Sequence, residues 1–245
     1  MPYYGYYYGF DWTYLYLVLP CVILSMWASW NVNATFKKYS RQYSQRGLTG
    51  AEAAQRVLSA NGVHGVRIER VSGNLTDHYD PRTNVIRLSD SVYDNTSTAA
   101  IGVACHEAGH AVQYAVGYAP IKLRAAIIPV TNFGSQLAMP LILLGILFST
   151  MGTMSDTLVY LGIACFGLSF LFQVVTLPVE FNASRRALQA IESVGLLTED
   201  EQRGARKTLT AAAMTYVAAT ATALAQLLRL IAIFGRGNRG NRRGH

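Results

Sequence analysis

The sequence has little charge and few cysteines. Only 14% of its 245 residues are Asp, Glu, Lys or Arg, 51% are hydrophobic, and the mean hydropathy is positive. Cys21 and Cys165 lie in apolar segments and Cys105 precedes a histidine, so the three cysteines indicate no disulfide framework. The composition favours a membrane protein, is compatible with a reducing compartment, and does not indicate a disulfide-rich secreted domain.

The sequence also lacks a nucleic-acid motif, although its formal net charge is +7. Lysine and arginine cluster at 37–46, at 185–186 and in the last ten residues. Such clusters suit anionic lipid headgroups, and no interleaving of aromatic and basic residues supports a nucleic-acid surface. We therefore expect membrane lipid as a partner and no nucleic acid.

The first 12 residues carry no Lys or Arg, and an apolar run follows at 13–30. A signal peptide would begin with positive charge and end at a small-residue cleavage site, and neither feature is present. The run instead predicts a first transmembrane helix with tyrosine and tryptophan side chains at both interfaces. Four basic residues between Lys37 and Arg46 then predict, by the positive-inside rule, a cytoplasmic location for the chain after residue 36.

Further apolar runs predict more membrane segments. Runs 137–151 and 157–177 are uncharged and form a predicted membrane hairpin that starts and ends on the cytoplasmic side. A last run, 211–234, is interrupted only by Arg229 and either spans the membrane, with the tail arginines outside, or lies partly on the inner surface. We expect a transmembrane anchor at 1–34, a first catalytic part at 35–136, the hairpin at 137–177, a second catalytic part at 178–210, the apolar C-terminal helix at 211–235 and a disordered basic tail at 236–245.

The motif HEAGH at residues 106–110 lies at the centre of an apolar stretch that is predicted to be helical. Residues four apart share one side of a helix, so His106 and His110 can both bind one zinc ion, with Glu107 beside them. A catalytic zinc keeps one position open for water and lowers its pKa toward about 7. The motif therefore predicts two metal ligands and a general base.

An accidental match is the alternative to this interpretation. The motif arises by chance in roughly a few chains per thousand, and a buried helix can carry histidines that are simply hydrogen-bonded. Three ionisable groups in so apolar a helix are costly, however, unless they pair or bind a metal. Cys105 is one helical step away from the histidine pair, which favours a core position over a ligand position.

The segments before the motif predict a small β structure. Residues 49–61 read as an amphipathic helix with a capping box, and 66–71 and 84–88 as two strands that form an antiparallel pair. Such a pair offers an edge to which an extended peptide can add. Asp77, His78 and Asp80 in the polar loop between them are candidate substrate contacts or alternative ligands, although turn chemistry alone explains Asp80 before proline.

A third zinc ligand is expected from the segment LPVEFNASRRAL at 177–188. Pro178 favours the first turn of a helix, which would place Glu180 in that turn. A carboxylate from a second helix commonly completes a site that has two histidines. The alternative is that Glu180 only stabilises the helix dipole.

These motifs resemble the YugP-like family of bacterial membrane zinc metallopeptidases. The likeness begins near residue 35 and includes TFKKYS, TGAEAAQRVL, LTDHYDPRTNVIRLS, HEAGH, GYAP and LPVEFNASRRAL. It implies a mainly α membrane protein with a zincin-like catalytic domain, a small β-hairpin and transmembrane helices. It also implies one zinc ion held by His106, His110 and Glu180, with Glu107 as general base in peptide hydrolysis.

A more remote resemblance is to the HtpX membrane proteases, whose third ligand lies in an E-x-x-x-D pattern. Ser184 stands here where that pattern has its aspartate, so the partner of a ligand histidine is left open. Candidates to stabilise the oxyanion are His78, Tyr79, Tyr114 and Arg185. The preferred function is a cytoplasm-facing zinc endopeptidase acting on polypeptides; the alternatives are a zinc hydrolase of another amide or ester, and a non-catalytic membrane scaffold.

Overall fold

The computed structural model describes residues 11–235, and the chain is a mainly α membrane protein with a small sheet, as predicted. A short π-helix at Tyr14–Val18 leads into the first helix, and a 3-10 turn at Ser149–Met151 separates the fourth helix from the fifth. The predicted aromatic belt before residue 11 and the basic tail after residue 235 lie outside the described residues. The elements are α1 (Leu19–Tyr39), α2 (Gly50–Ala60), β1 (Arg67–Val71), β2 (His78–Asp80), β3 (Val85–Ser89), α3 (Thr98–Ala115), α4 (Ala119–Leu147), α5 (Thr153–Ser193) and α6 (Glu199–Phe234).

Within residues 11–235, four helices are long and apolar enough to cross a membrane. They are Tyr14–Tyr39, Ala119–Leu147, Thr153–Ser193 and Glu199–Phe234. The first two overlap the predicted runs 13–30 and 137–151, the second ending at Leu147, and the third contains the predicted run 157–177. The fourth contains the C-terminal run, for which the sequence left a spanning and an interfacial location open, and its length and composition favour spanning.

Helix α5 continues through Pro178 to Ser193 without a break. The predicted helix start at Pro178 is therefore wrong. Proline removes one backbone donor, but membrane-type helices tolerate it because neighbouring groups satisfy the freed carbonyl. Glu180 lies in the interior of a long helix, so a helix N-terminus does not explain this carboxylate.

The chain divides into two compact units. The membrane unit comprises 11–26, Arg124–Val175 and 217–235, and the sheet unit comprises Trp27–Leu123 and Thr176–Tyr216. Within the membrane unit, α4 and α5 form a hairpin in which Gly145 lies against the Ser155 carbonyl and Gly162 against that of Ala138. A side chain at either glycine would meet the facing backbone, so these positions allow close helix packing.

Helices α1 and α6 also meet inside the membrane unit. Two guanidinium nitrogens of Arg229 donate to Oδ2 of Asp11, at 2.9 and 2.6 Å. The hydroxyl groups of Ser25 and Thr222 lie 3.0 Å apart further along the same pair of segments. The C-terminal part of α6 therefore runs antiparallel to the start of the chain, and the charge that interrupts its apolar run is paired.

The sheet has the order β1-β3-β2. Strand β3 is central and buries Val85, Ile86 and Leu88 completely. Strand β2 pairs with β3 antiparallel and forms the expected hairpin, whereas β1 pairs with β3 in parallel. The predicted antiparallel pairing of 66–71 with 84–88 is therefore wrong, because β2 forms within their connection and takes the antiparallel edge of β3.

The core of the sheet unit forms between α2, α3, the sheet and parts of α5 and α6. Helix α2 has the predicted capping box, in which Thr49 and Glu52 exchange side-chain to backbone hydrogen bonds of 2.9 and 3.2 Å. Helix α3 is capped by Ser97, whose hydroxyl accepts from the Ala100 amide. Because α3 is buried along most of its length, its polar side chains are held in fixed positions.

Candidate active site

The two histidines of the HEAGH motif meet the Glu180 carboxylate. Consecutive turns of α3 place the rings of His106 and His110 with centroids 4.7 Å apart. Oε2 of Glu180 lies 3.3 Å from Nε2 of His106 and 3.5 Å from Nε2 of His110. The possible ligand atoms of all three residues lie within 4.8 Å of one another, and the Glu180 side chain is only 3% exposed.

Gly109 is the residue that lets α5 approach α3 at this point. A Cβ atom at position 109 would lie 2.8 Å from the carbonyl oxygen of Ala183, which is closer than real Cβ atoms come. On α3, Gly102 lies two turns earlier and allows a similar approach of Ala205 from α6. The glycine of HEAGH therefore brings the helix that carries Glu180 close enough for its carboxylate to reach both histidines.

Gln113 fixes the orientation of His110. This fully buried side chain lies one turn after His110, and its Oε1 is 3.0 Å from Nδ1 of the imidazole. Its Nε2 donates to the carbonyl of Val179 and to Oδ1 of Asn182, at 2.8 and 3.0 Å. Since the amide oxygen can only accept, Nδ1 carries a proton and Nε2 is the ring nitrogen that faces Glu180.

Ser184 contacts His106 in the way that Gln113 contacts His110, at the Nδ1 atom of the ring. Its Oγ lies 3.1 Å from Nδ1 of His106. Ser184, which stands where the more remote pattern has an aspartate, therefore contacts His106 itself. A partner on Nδ1 orients the ring and directs Nε2 toward a metal.

Glu107 is 8% exposed and lies in the wall of a cleft that also contains His106 and Asp77. Asp77 accepts hydrogen bonds from the backbone amide and the hydroxyl of Ser89, at 2.8 and 3.0 Å. Burial raises the pKa of Asp77 and the charge of Glu107 raises it further, while the bonds from Ser89 oppose this rise. Asp77 is the loop carboxylate that the fold brings to the site.

The electrostatics around His110 favour a positive charge. Burial lowers its pKa, but the hydrogen bond to Glu180 and the charges of Glu107 and Glu180 outweigh this, so the pKa lies above its ordinary value. Two imidazole nitrogens and one carboxylate oxygen are a donor set that zinc accepts. With both Nδ1 atoms paired elsewhere, the three converging groups fit such an ion.

The other candidate residues are placed differently. Asp80 accepts from the Arg82 amide and the Thr83 hydroxyl, the turn chemistry that explains it without a catalytic role. His78 is exposed, with Nδ1 2.9 Å from the carbonyl of Thr76. The cleft that contains Glu107 includes neither residue in its wall.

The structure also locates the other candidates for stabilising the oxyanion, which are Tyr79, Tyr114 and Arg185. The Tyr79 hydroxyl donates to Oδ1 of Asn84 at 2.8 Å, and its ring lies 5.7 Å from that of Tyr114. Burial raises the pKa of Tyr79. Arg185 lines a second groove, between α5 and α6, together with Ser184 and Arg206.

Cys105 is fully buried in the core of the sheet unit, as the sequence predicted, and burial raises the pKa of its thiol. All three cysteines are free. A neutral buried thiol is a poor ligand and a poor nucleophile. The cysteine beside the motif therefore has a packing role.

Sequence reasoning did not assign a function to Gln113 or Gly109. The signal for Gln113 is a lone amide in an apolar helix, three residues after the candidate ligand His110 and on the same face. For Gly109 the signal was glycine in a helix interior, where it costs about 1 kcal/mol relative to alanine unless packing requires it.

Comparison with known proteins agrees with this geometry. The family described as "Putative neutral zinc metallopeptidase" matches residues 14–235. "Putative membrane protease YugP" of Bacillus subtilis (strain 168) is 46% identical over 228 residues, which cover 93% of this chain and 99% of that protein. No solved structure matches the chain significantly. The resemblance inferred from the motifs is thereby confirmed, and the chain belongs to this family of neutral zinc metallopeptidases.

Proposed function

We propose that the protein is a membrane-anchored endopeptidase in which His106, His110 and Glu180 hold one zinc ion and Glu107 is the general base. The observation that carries this proposal is the convergence of two Nε2 atoms and a carboxylate, each within 4.8 Å of the others, next to Glu107. A structural zinc site has no use for a carboxylate that is not a ligand. Glu107 therefore favours catalysis over a scaffold role.

In the proposed mechanism, His106, His110 and Glu180 would hold the zinc ion, which when bound would supply Lewis-acid chemistry and lower the pKa of water toward about 7. Glu107 accepts a proton from the attacking water and then donates it to the leaving amine. Its low exposure keeps the carboxylate away from bulk water, which strengthens its interaction with the reacting groups. Gln113 and Ser184 hold the histidine rings so that Nε2 of each stays directed toward Glu180.

Strand β2 is the proposed place for the substrate backbone. It is an edge of the sheet and contacts α3, which carries the motif. An extended peptide can add to such an edge through main-chain hydrogen bonds. This arrangement would orient the peptide along the helix that carries Glu107.

The test compares the wild-type protein with Glu107→Gln, both purified in detergent. Bound zinc is measured by elemental analysis and cleavage of unfolded casein is measured in the same preparations. Glutamine preserves the size of the side chain but cannot accept the proton, so we expect equal zinc content and a loss of cleavage of at least about 100-fold.

Two results would contradict the proposal. A Glu107→Gln protein that cleaves as fast as wild type would remove Glu107 from the mechanism. A wild-type protein that holds zinc but cleaves neither casein nor membrane-protein substrates would favour the hydrolase of another bond or the scaffold.

We also propose that the sheet unit faces the cytoplasm. Each of the four candidate membrane helices has basic residues near the end that belongs to the sheet unit. They lie at 37–46, 122–124, 185–186 and 203–207. The opposite side has a basic cluster only in the tail at 236–243. The positive-inside rule counts residues near the span ends, and this count favours a cytoplasmic sheet unit.

Labelling of single cysteines with a membrane-impermeant maleimide tests this orientation in a variant without the three native cysteines. Cysteine in place of exposed Ser72 should react only after cell lysis, whereas a cysteine added after residue 245 should react in intact cells. The reverse pattern would place the sheet unit outside.

A further inference from the structure

A cleft of about 230 Å³ opens beside the candidate zinc site, with His106 and Glu107 in its wall. The rest of the wall comes from α1, the loop between β1 and β2, α3 and α6. Because the cleft begins at the proposed general base, a group that occupies it would be part of the molecule undergoing reaction. Its apolar lining includes Val32, Phe36, Leu75, Val103, Leu209 and Ala212.

The polar side chains in this wall are largely paired within the protein. Both carboxylate oxygens of Asp77 accept hydrogen bonds from Ser89. The hydroxyl groups of Thr208 and Thr215 donate to carbonyls of their own helix, α6, at 2.9 and 2.6 Å. These groups have their partners already, so the cleft offers mainly aliphatic and aromatic surface to a ligand.

We infer that this cleft is a specificity pocket that takes one large apolar side chain of the polypeptide substrate, next to the cleaved bond. The inference rests on the proposed function. A polar side chain that entered the cleft would lose its water without gaining a partner, whereas leucine, methionine or phenylalanine would bury apolar surface. The volume is that of several water molecules, since one water takes about 30 Å³ in the liquid, and it suits a single side chain of this size.

Ala212 on α6 is the position from which the cleft can be filled. Its side chain is partly exposed and lines the cleft, so phenylalanine there can extend into the open volume. Thr215→Leu, from the same wall, fills less of the cleft and provides a second variant. Thr210→Phe is the matched control, because Thr210 is exposed on the same helix and does not line the cleft.

The experiment digests a mixture of peptides of varied sequence with zinc-loaded proteins in detergent and maps the cleaved bonds by mass spectrometry. Wild type and Thr210→Phe should cleave next to Leu, Met and Phe. Ala212→Phe should lose about 10- to 200-fold in kcat/KM on such bonds while bonds beside Ala change less than about threefold, and Thr215→Leu should lie between.

A binding measurement separates recognition from catalysis. In the inactive Glu107→Gln background, a fluorescent peptide with a central phenylalanine should bind at least about tenfold more tightly than its alanine counterpart. Added Ala212→Phe should abolish this difference, and added Thr210→Phe should preserve it.

The possible failures are distinguishable. If wild type cleaves peptides without regard to side-chain size, or if Ala212→Phe and Thr215→Leu both keep the wild-type preference, the cleft inference is wrong and the peptidase proposal stands. If zinc-loaded wild type cleaves casein but no peptide in the mixture, the bonds cut in casein are mapped in the same way. If it cleaves neither these nor membrane-protein substrates, the peptidase proposal fails and the pocket inference fails with it.

Discussion

Replacement of Gln113 by methionine tests whether the contacts behind His110 contribute to metal binding. Methionine is unbranched and similar in length, so it fills the same buried space without the amide group. The substitution removes the acceptor 3.0 Å from Nδ1 of His110 and the donor to Val179 and Asn182. The three side chains proposed to hold zinc are themselves unchanged.

The expected magnitude has two parts. Loss of a partner behind a ligand histidine commonly costs 10- to 100-fold in metal affinity, which corresponds to about 1.4–2.8 kcal/mol. The Val179 carbonyl loses a buried donor, whereas Oδ1 of Asn182 keeps the hydrogen bond from Nε of Arg186 at 2.8 Å, so folding stability should fall by about 1 kcal/mol. Metal affinity and the stability of the metal-free protein should therefore both fall.

Zinc affinity is measured by competition with a chromogenic chelator, and the stability of the metal-free protein by thermal unfolding in the same detergent. Gln189→Met on α5 is the control, because it makes the same change at an exposed position away from the ligands. The reasoning is refuted if Gln113→Met binds zinc within about twofold of wild type while the protein remains folded. A fall in stability alone would show that Gln113 supports packing and not the metal.

Three other changes test separate parts of the structure. Ser184→Ala removes the contact with Nδ1 of His106 and should lower zinc affinity about tenfold in the chelator assay. Ser184→Asp should retain the wild-type affinity. Equal zinc affinities of Ser184→Ala and wild type would contradict a role of Ser184 in orienting His106. Gly109→Ala places a methyl group against the backbone of α5 and should lower the free energy of unfolding by about 1–3 kcal/mol, although alanine has the higher helix propensity. An unchanged melting temperature would argue against the close approach of α5 to α3. Asp11→Asn keeps the shape of the side chain but removes the charge that pairs with Arg229, and should lower the free energy of unfolding in detergent by about 1.5–3 kcal/mol. Arg229→Lys should lower it less. An unchanged free energy of unfolding would mean that the pair does not contribute to stability.

Local features of the sequence predicted several elements correctly. The capping box at Thr49 and the position of His106 next to His110 on one side of α3 depend on residues within four positions of one another. Helical periodicity alone brings such residues together. The apolar spans likewise follow from length and composition, because a membrane requires about 20 consecutive apolar residues.

Two predictions were wrong, and each was made from a local pattern whose outcome depends on residues outside that pattern. Whether β1 pairs parallel or antiparallel with β3 depends on whether the connection contains β2, because that strand adds one reversal of the chain direction, and the alternation of β1 and β3 is the same in either case. The helix start at Pro178 relied on a local preference of proline that a long continuous helix overrides.

The HEAGH motif by itself determined two imidazoles and a carboxylate on one helix. The third group, the Glu180 carboxylate, and the partners behind the rings are decided by the tertiary structure, because they come from α5 or depend on how closely α5 packs on α3. Gly109 controls this packing, since a side chain there would strike the Ala183 carbonyl. Spacing along a helix brings neighbours together without tertiary contacts, whereas residues far apart in the chain meet only when packed helices leave room for them.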